Sequence, residues 1–190
     1  MHFMFENTSN TRPILENSLK YIRSDVPIRV SEAEREWMLA NDIVTIIDLR
    51  TEEERARKVC PLATDERFSY HCMPVTGGDI IPQSTDMVSK SYIKMVDAWF
   101  QETIDFLLNA KSNVLYFCNA GKDRTGVVSA VLLHKFGMKE EDIVADYMKS
   151  KENLRAMLEA FAKQNSSVDI EIITPHEEYI KGFLAWYNRK

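Results

Sequence analysis

The chain has 190 residues with 24 Lys and Arg against 29 Asp and Glu, a formal charge of −5, and 45% of its residues are hydrophobic. These values suit one globular domain with a sizeable core, and six Gly and six Pro exclude a collagenous or linker-like chain. The mild acidity, spread along the sequence, argues against general binding to nucleic acid or a membrane surface, which needs a basic face.

The opening MHFMFENTSN lacks a basic region, a long apolar run and a small-residue cleavage site, so no signal peptide is expected. The most apolar run, VVSAVLL at 127–133, falls far short of the roughly 20 residues that span a bilayer. Ser31-Glu32-Ala33-Glu34 pairs a capping serine with a glutamate three residues on, which predicts a helix with Ala33, Trp37 and Ala40 on one face. Residues 43–49 (IVTIIDL) are β-branched and apolar, as in a strand buried on both faces. Thr51-Glu52-Glu53-Glu54 repeats the capping pattern, so that strand passes directly into a helix. Residues 68–75 predict another strand, ended by Thr76-Gly77-Gly78-Asp79.

From 91 to 108 the period is helical, with Tyr92, Val96, Trp99, Thr103 and Leu107 on one line and the Trp99/Phe100 stripe assigned to the core. A short strand (NVLYF) at 113–117 leads into the loop 118–126 and a helix so apolar that protein must surround it, with Gly137 as its stop. Amphipathic helices follow at about 140–149 and 151–164. The last helix opens at Thr174-Pro175-His176-Glu177, where threonine caps and proline takes the first helical position, and Tyr179, Trp186 and Tyr187 pack it. The alternation predicts an α/β fold with a mostly parallel central sheet flanked by helices, a helical C-terminal third, and one domain over 1–190.

Cys60, Cys72 and Cys118 cannot all pair with one another and no CxxC occurs, which suits a reduced, cytoplasmic setting. His2, His71, His134 and His176 show no ligand spacing, so neither a metal nor another cofactor is expected. The nucleotide-binding pattern GxxxxGK is absent. Nothing in the sequence sets an oligomeric state.

The chemistry concentrates in Cys118-Asn119-Ala120-Gly121-Lys122-Asp123-Arg124-Thr125-Gly126, between a buried strand and a buried helix. The N–H groups of such a loop can converge at the positive end of the helix and form an anion site over 119–125. The Arg124 guanidinium can grip two phosphate oxygens in a planar fork. A thiol at the loop's origin sits in the same positive field, which favours the nucleophilic thiolate. Cys118 alone has this context, because the residue six positions on is glutamate after Cys60 and glycine after Cys72.

The loop resembles the signature of the cysteine-dependent protein-tyrosine phosphatases, and in particular of bacterial tyrosine/serine phosphatases with an HCxAGKDRTG loop. YIRSD at 21–25, DLRTEEE at 48–54 and GMKEEDIVADYM at 137–148 share that subfamily's pattern, so the resemblance covers most of 20–150. The subfamily's N-terminal Arg-Asp-Leu-Gly-Gly stretch is not recognised, which describes a shortened member. Phe117 replaces the histidine that usually precedes the cysteine, and His71-Cys72 is a decoy because Gly78 stands where arginine belongs.

The resemblance implies metal-free hydrolysis of phosphate monoesters on proteins, with Cys118 as nucleophile and Arg124 holding the equatorial oxygens. Phosphotyrosine or dual-specificity activity comes first and phosphoinositides second; the lysine at position 122 goes with the latter, and a solvated surface lysine is its alternative. Gly121 and Gly126 are expected to let the backbone approach phosphate, and Thr125 to assist the departing thiolate. Asp123 inside a phosphate loop makes sense as a proton donor to the leaving oxygen, with a salt bridge to Lys122 as the alternative role. Asp79 and Asp86 are rival acids, and Asp48 and Arg50 are expected to support the loop. Competing assignments are a phosphate-binding pseudoenzyme, for which Phe117 speaks, and a sulfur-transfer or arsenate-reducing enzyme.

Overall fold

The computed structural model describes residues 5–78 and 80–189. Its centre is a five-stranded sheet formed by β1 (Arg12–Pro13), β2 (Tyr21–Asp25), β3 (Ile43–Asp48), β4 (Ser69–Cys72) and β5 (Asn113–Cys118), in the order β1-β2-β5-β3-β4. Only β1 runs antiparallel to its neighbour; the other pairings are parallel. Side chains alternate across β5, the middle strand. Val114, Tyr116 and Cys118 enter the larger core, while Leu115 and Phe117 enter the smaller one.

The smaller core lies under α1 (Glu32–Ala40) and a 3₁₀ turn at Pro61–Thr64. The larger one is covered by α3 (Asp86–Lys94), α4 (Ala98–Asn109), α5 (Asp123–Lys135), α6 (Glu140–Asn153) and α9 (Glu177–Tyr187). α5 is buried from Arg124 to Leu133, as its apolar sequence requires. Between the other elements run α2 (Glu52–Arg57), α7 (Arg155–Gln164) and the short α8 (Ile170–Ile173). Among the described residues no helix is long and apolar enough to cross a membrane.

Both predicted capping boxes form, Ser31 with Glu34 and Thr51 with Glu54. Three expectations need correction. The 91–108 helix is two helices: Asp97 breaks it and accepts the N–H of Phe100 at 2.8 Å, which restarts the helix in a new phase. As a result Phe100 is buried but Trp99 is 64% exposed, not in the core. The 68–75 strand shortens to Ser69–Cys72. The last helix starts at Glu177 without a side-chain cap, because Thr174 instead ends α8.

One buried charge cluster joins β1, β2 and α6. Asp146 accepts from Arg12 Nε at 3.0 Å and from Arg23 Nη1 at 2.5 Å. Burial alone would raise the Asp146 carboxyl, but the Arg23 and Arg12 guanidiniums hold it below the usual carboxylate range. A carboxyl lowered on folding stabilises the chain above its unfolded pKa of about 3.9 and stops doing so as pH falls through the folded value. Asp146→Asn should therefore cost about 3–5 kcal/mol at pH 7. Urea titrations across pH should show that deficit shrinking below about pH 4.

Candidate active site

The C-terminal edges of β2, β3 and β5 meet at one end of the sheet, where α/β folds place their ligand sites. From β5 the chain passes through Cys118 into residues 119–122 and then into α5. Cys118 lies at the base of this loop and is 3% exposed. Gly121 adopts φ +63, and a Cβ there would run into the backbone of Ser24 and Asp25 at the end of β2. Gly126, expected to let the backbone approach phosphate, also makes room for side chains. A Cβ at that position would meet the Tyr147 ring at 3.2 Å and Arg23 Nη2 at 3.5 Å, so its bareness admits those side chains.

Among the described residues, none of the backbone N–H groups from Ala120 to Thr125 donates to backbone or side chain. Buried amides are ordinarily paired, so six consecutive free donors around a turn into a helix make a concentrated anion site. Three side-chain atoms of the same loop, Asn119 Oδ1, Arg124 Nε and Thr125 Oγ1, are also buried without a partner.

Arg124 is held by Glu54, whose carboxylate accepts from Nη1 and Nη2 at 2.6 Å each. Burial works against the Arg124 charge, but Glu54 and then Cys118 more than compensate, and its pKa rises above the ordinary value. Glu54 occupies the end of the guanidinium. That leaves Nε and the second Nη2 hydrogen along one side, a fork suited to two oxygens of a tetrahedral anion. Glu54 also closes the Thr51 capping box and accepts from Asn119 Nδ2 at 2.5 Å. The sequence marked Glu54 only as a cap; no local signal ties it to an arginine 70 positions away.

Asp48 and Arg50 stand behind this arrangement, both 0% exposed. Arg50 grips Asp48 with Nε at 2.8 Å and Nη2 at 2.6 Å, Tyr70 donates to the same carboxylate at 2.6 Å, and Arg50 Nη1 donates to the Lys58 carbonyl at 2.7 Å. Together they fix the turn that launches α2 and therefore the place of Glu54. Phe117 points away from the loop into the smaller core, with its ring 5.5 Å from the Arg50 guanidinium.

Asp123 opens α5. Its Oδ1 accepts from the Tyr92 hydroxyl at 2.6 Å, Oδ2 lies 3.3 Å from Lys122 Nζ, and its side chain is 28% exposed. Tyr92 contacts the Tyr147 hydroxyl at 2.8 Å. Burial, with Asp123 and Tyr147 adding to it, raises the Tyr92 phenol well above its ordinary pKa, so it stays a neutral donor. Sequence reasoning assigned Tyr92 to a helix face and missed this contact.

Lys122 is only 7% exposed and donates to the Ile173 carbonyl, so it is not the solvated lysine considered earlier. A small cavity beside it is lined by Gly78, Ile81, Tyr92, Asp123 and Ile173. Asp86 is exposed, bound by Ser84 at 2.5 Å and Lys90 at 3.4 Å, and lines a different cavity beside Glu171 and His176. Asp79 lies outside the described residues. Cys72 is exposed on β4, while burial pushes the Cys60 thiol up to about 11.

A sequence model described as "Tyrosine phosphatase family" matches residues 9–190, starting upstream of the stretch on which the resemblance was recognised. A tyrosine-protein phosphatase of Nostoc commune is 29% identical over 129 residues, covering 63% of this chain and 44% of that one. The triple specificity protein phosphatase PtpB of Mycobacterium tuberculosis is 40% identical over 73 residues, covering 36% and 26%. The chain thus matches less than half the length of these curated relatives. The crystal structure of a human tyrosine phosphatase-like serine/threonine/tyrosine-interacting protein superposes with a TM-score of 0.50 at 16% identity, over 94% of this chain and 96% of that one. At that identity the likeness concerns the fold.

Because both the left-handed turn and the contact with β2 exclude a side chain, Gly121→Ala should lower the unfolding free energy by about 1–3 kcal/mol. Gly137→Ala has open space around its added Cβ and a comparable positive φ. It isolates the cost of the backbone conformation, and denaturation should show it as the milder change.

Proposed function

The chain belongs to the tyrosine phosphatase family, and from this we propose that it hydrolyses phosphate monoesters on proteins through a cysteinyl-phosphate, without a metal. The observation that carries the proposal is the run of unpartnered N–H groups from Ala120 to Thr125, with Arg124 Nε unpartnered beside them and Cys118 at their base. Phosphoryl transfer demands positioning and electrostatic stabilisation above all, and this loop offers both from backbone and one guanidinium.

In the first step Cys118 Sγ attacks phosphorus in line and the bond to the ester oxygen breaks. Asp123 gives its proton to that oxygen, while Tyr92 holds the carboxyl in place. In the second step water attacks phosphorus, Asp123 takes the water's proton, and the S–P bond breaks to return the thiolate. The unpartnered Thr125 hydroxyl is available to donate to the departing sulfur. Asp48 and Arg50 act at a distance through Glu54.

The PtpB relative carries the name of a triple specificity protein phosphatase, which favours phosphorylated proteins as the substrate class. Phosphoinositides lose their main support, because Lys122 is spent on Ile173 and Asp123.

Hydrolysis of an aryl phosphate in the presence of a chelator should proceed, and Cys118→Ser should reduce it to background. Asp123→Asn should lower kcat by about 10²–10⁴ on esters with poor leaving groups and much less on those with good ones. Equal losses on both would remove Asp123 from the role of acid, and activity surviving Cys118→Ser would remove the mechanism.

A further inference from the structure

An anion site made of backbone needs its N–H groups aimed as well as free. In a trans peptide the N–H of one residue points opposite to the carbonyl of the residue before it, and no cis peptide occurs among the described residues. Whatever holds the loop's carbonyls therefore aims its amides. The Asn119 carbonyl accepts from the Val26 N–H at 3.1 Å and the Lys122 carbonyl from the Gly126 N–H at 2.9 Å, both within the backbone. The two carbonyls between them are held by side chains. Asn10 Nδ2 donates to Ala120 at 3.2 Å and to Gly121 at 2.8 Å, and Arg23 Nη2 donates to Gly121 at 2.8 Å. Two donors converge on the Gly121 carbonyl oxygen, which has two lone pairs to offer.

These donors are themselves locked. Asn10 and Arg23 are both 0% exposed. Asn10 Oδ1 accepts from Arg12 Nη1 and from Asn153 Nδ2, which turns the amide nitrogen toward the loop. The N–H groups of Ser9 and Asn10 are fastened to the Asp25 carboxylate at 3.0 and 2.8 Å. Arg23 spends Nη1 on Asp146, which also holds Arg12. Two guanidiniums thus share the Asp146 carboxylate, which fixes Arg23 and Arg12 relative to each other.

We propose that Asn10 and Arg23 are positioning residues of the phosphate loop, and that by pinning the Ala120 and Gly121 carbonyls they aim the Gly121 and Lys122 amides at the bound oxyanion. This rests on the phosphate-loop assignment above. Neither side chain touches substrate; both act through the peptide planes. Residues 9–12 become part of the active centre, although more than 100 positions separate them from Cys118.

The test uses inorganic phosphate and orthovanadate as probes, with kcat, KM and Tm measured on the same preparations. Asn10→Ala removes two loop contacts and should weaken both oxyanions about tenfold, with a similar loss in kcat/KM. Arg23→Lys keeps the charge, but an ammonium lacks the fork that spans Asp146 and Gly121, and it should shift both readouts the same way. Asn41→Ala removes a contact to the Trp37 carbonyl at the end of α1, touches neither the loop nor Asn10, and should leave both within about twofold of the parent. If Arg23→Lys does not fold, Asn10→Ala decides. A fall in Tm with oxyanion affinity and kcat/KM unchanged would make the network purely structural and overturn the proposal. A parent chain that binds neither oxyanion would overturn the phosphate-loop assignment and this proposal with it, and that failure is visible before any variant is made.

Discussion

Six unpaired backbone donors in a nearly closed loop carry a desolvation cost, and the surrounding structure is arranged to bear it. Sheet and helices fix the loop from outside. β2 packs against Gly121 so tightly that a side chain is excluded, while backbone and side-chain donors fasten four successive carbonyls on the outer face. α5 begins where the loop ends, adding the positive end of a buried helix. A tetrahedral oxyanion is the natural complement to such a surface.

The same economy governs the charges. Glu54 caps α2, holds Arg124 by its two terminal nitrogens and accepts from Asn119, so one carboxylate sets both the guanidinium and the loop's first side chain. Behind it the Asp48–Arg50–Tyr70 cluster keeps the start of α2 from shifting. On the opposite side Tyr92 places the Asp123 carboxyl, and burial keeps that tyrosine a donor. Arg124 and Asp123, both of which would touch a phosphoryl ester, are thus oriented by neighbours that would not, which limits reorganisation when charge develops.

Local signals in the sequence led to local structure. The capping boxes at Ser31 and Thr51, the short apolar run 113–117 and the uniformly apolar 127–133 each depend on neighbours within a few positions, and each corresponds to an element in place. The helix break at Asp97 was hidden because the apolar spacing continues across it, and Trp99 was misassigned with it. The loop stood out because its residues are consecutive. Its supports did not: Glu54 meets Arg124 across 70 positions, Tyr92 meets Asp123 across 31, and Asn10 meets Gly121 across 111. Spacing carries no trace of such pairings, which exist only once the sheet has brought the ends of β2, β3 and β5 together. Phe117 is the converse case, a departure from the familiar loop that the fold resolves by turning the ring onto Arg50.

In the proposed reaction the backbone amides of this loop bind the phosphoryl group over Cys118. Amide chemical shifts of ¹⁵N-labelled chain titrated with inorganic phosphate test it most directly. Saturable shifts concentrated on residues 120–125, and lost in Arg124→Met, are the predicted result. Shifts scattered over other surfaces, or a loop that stays silent while phosphate binds elsewhere, would contradict it.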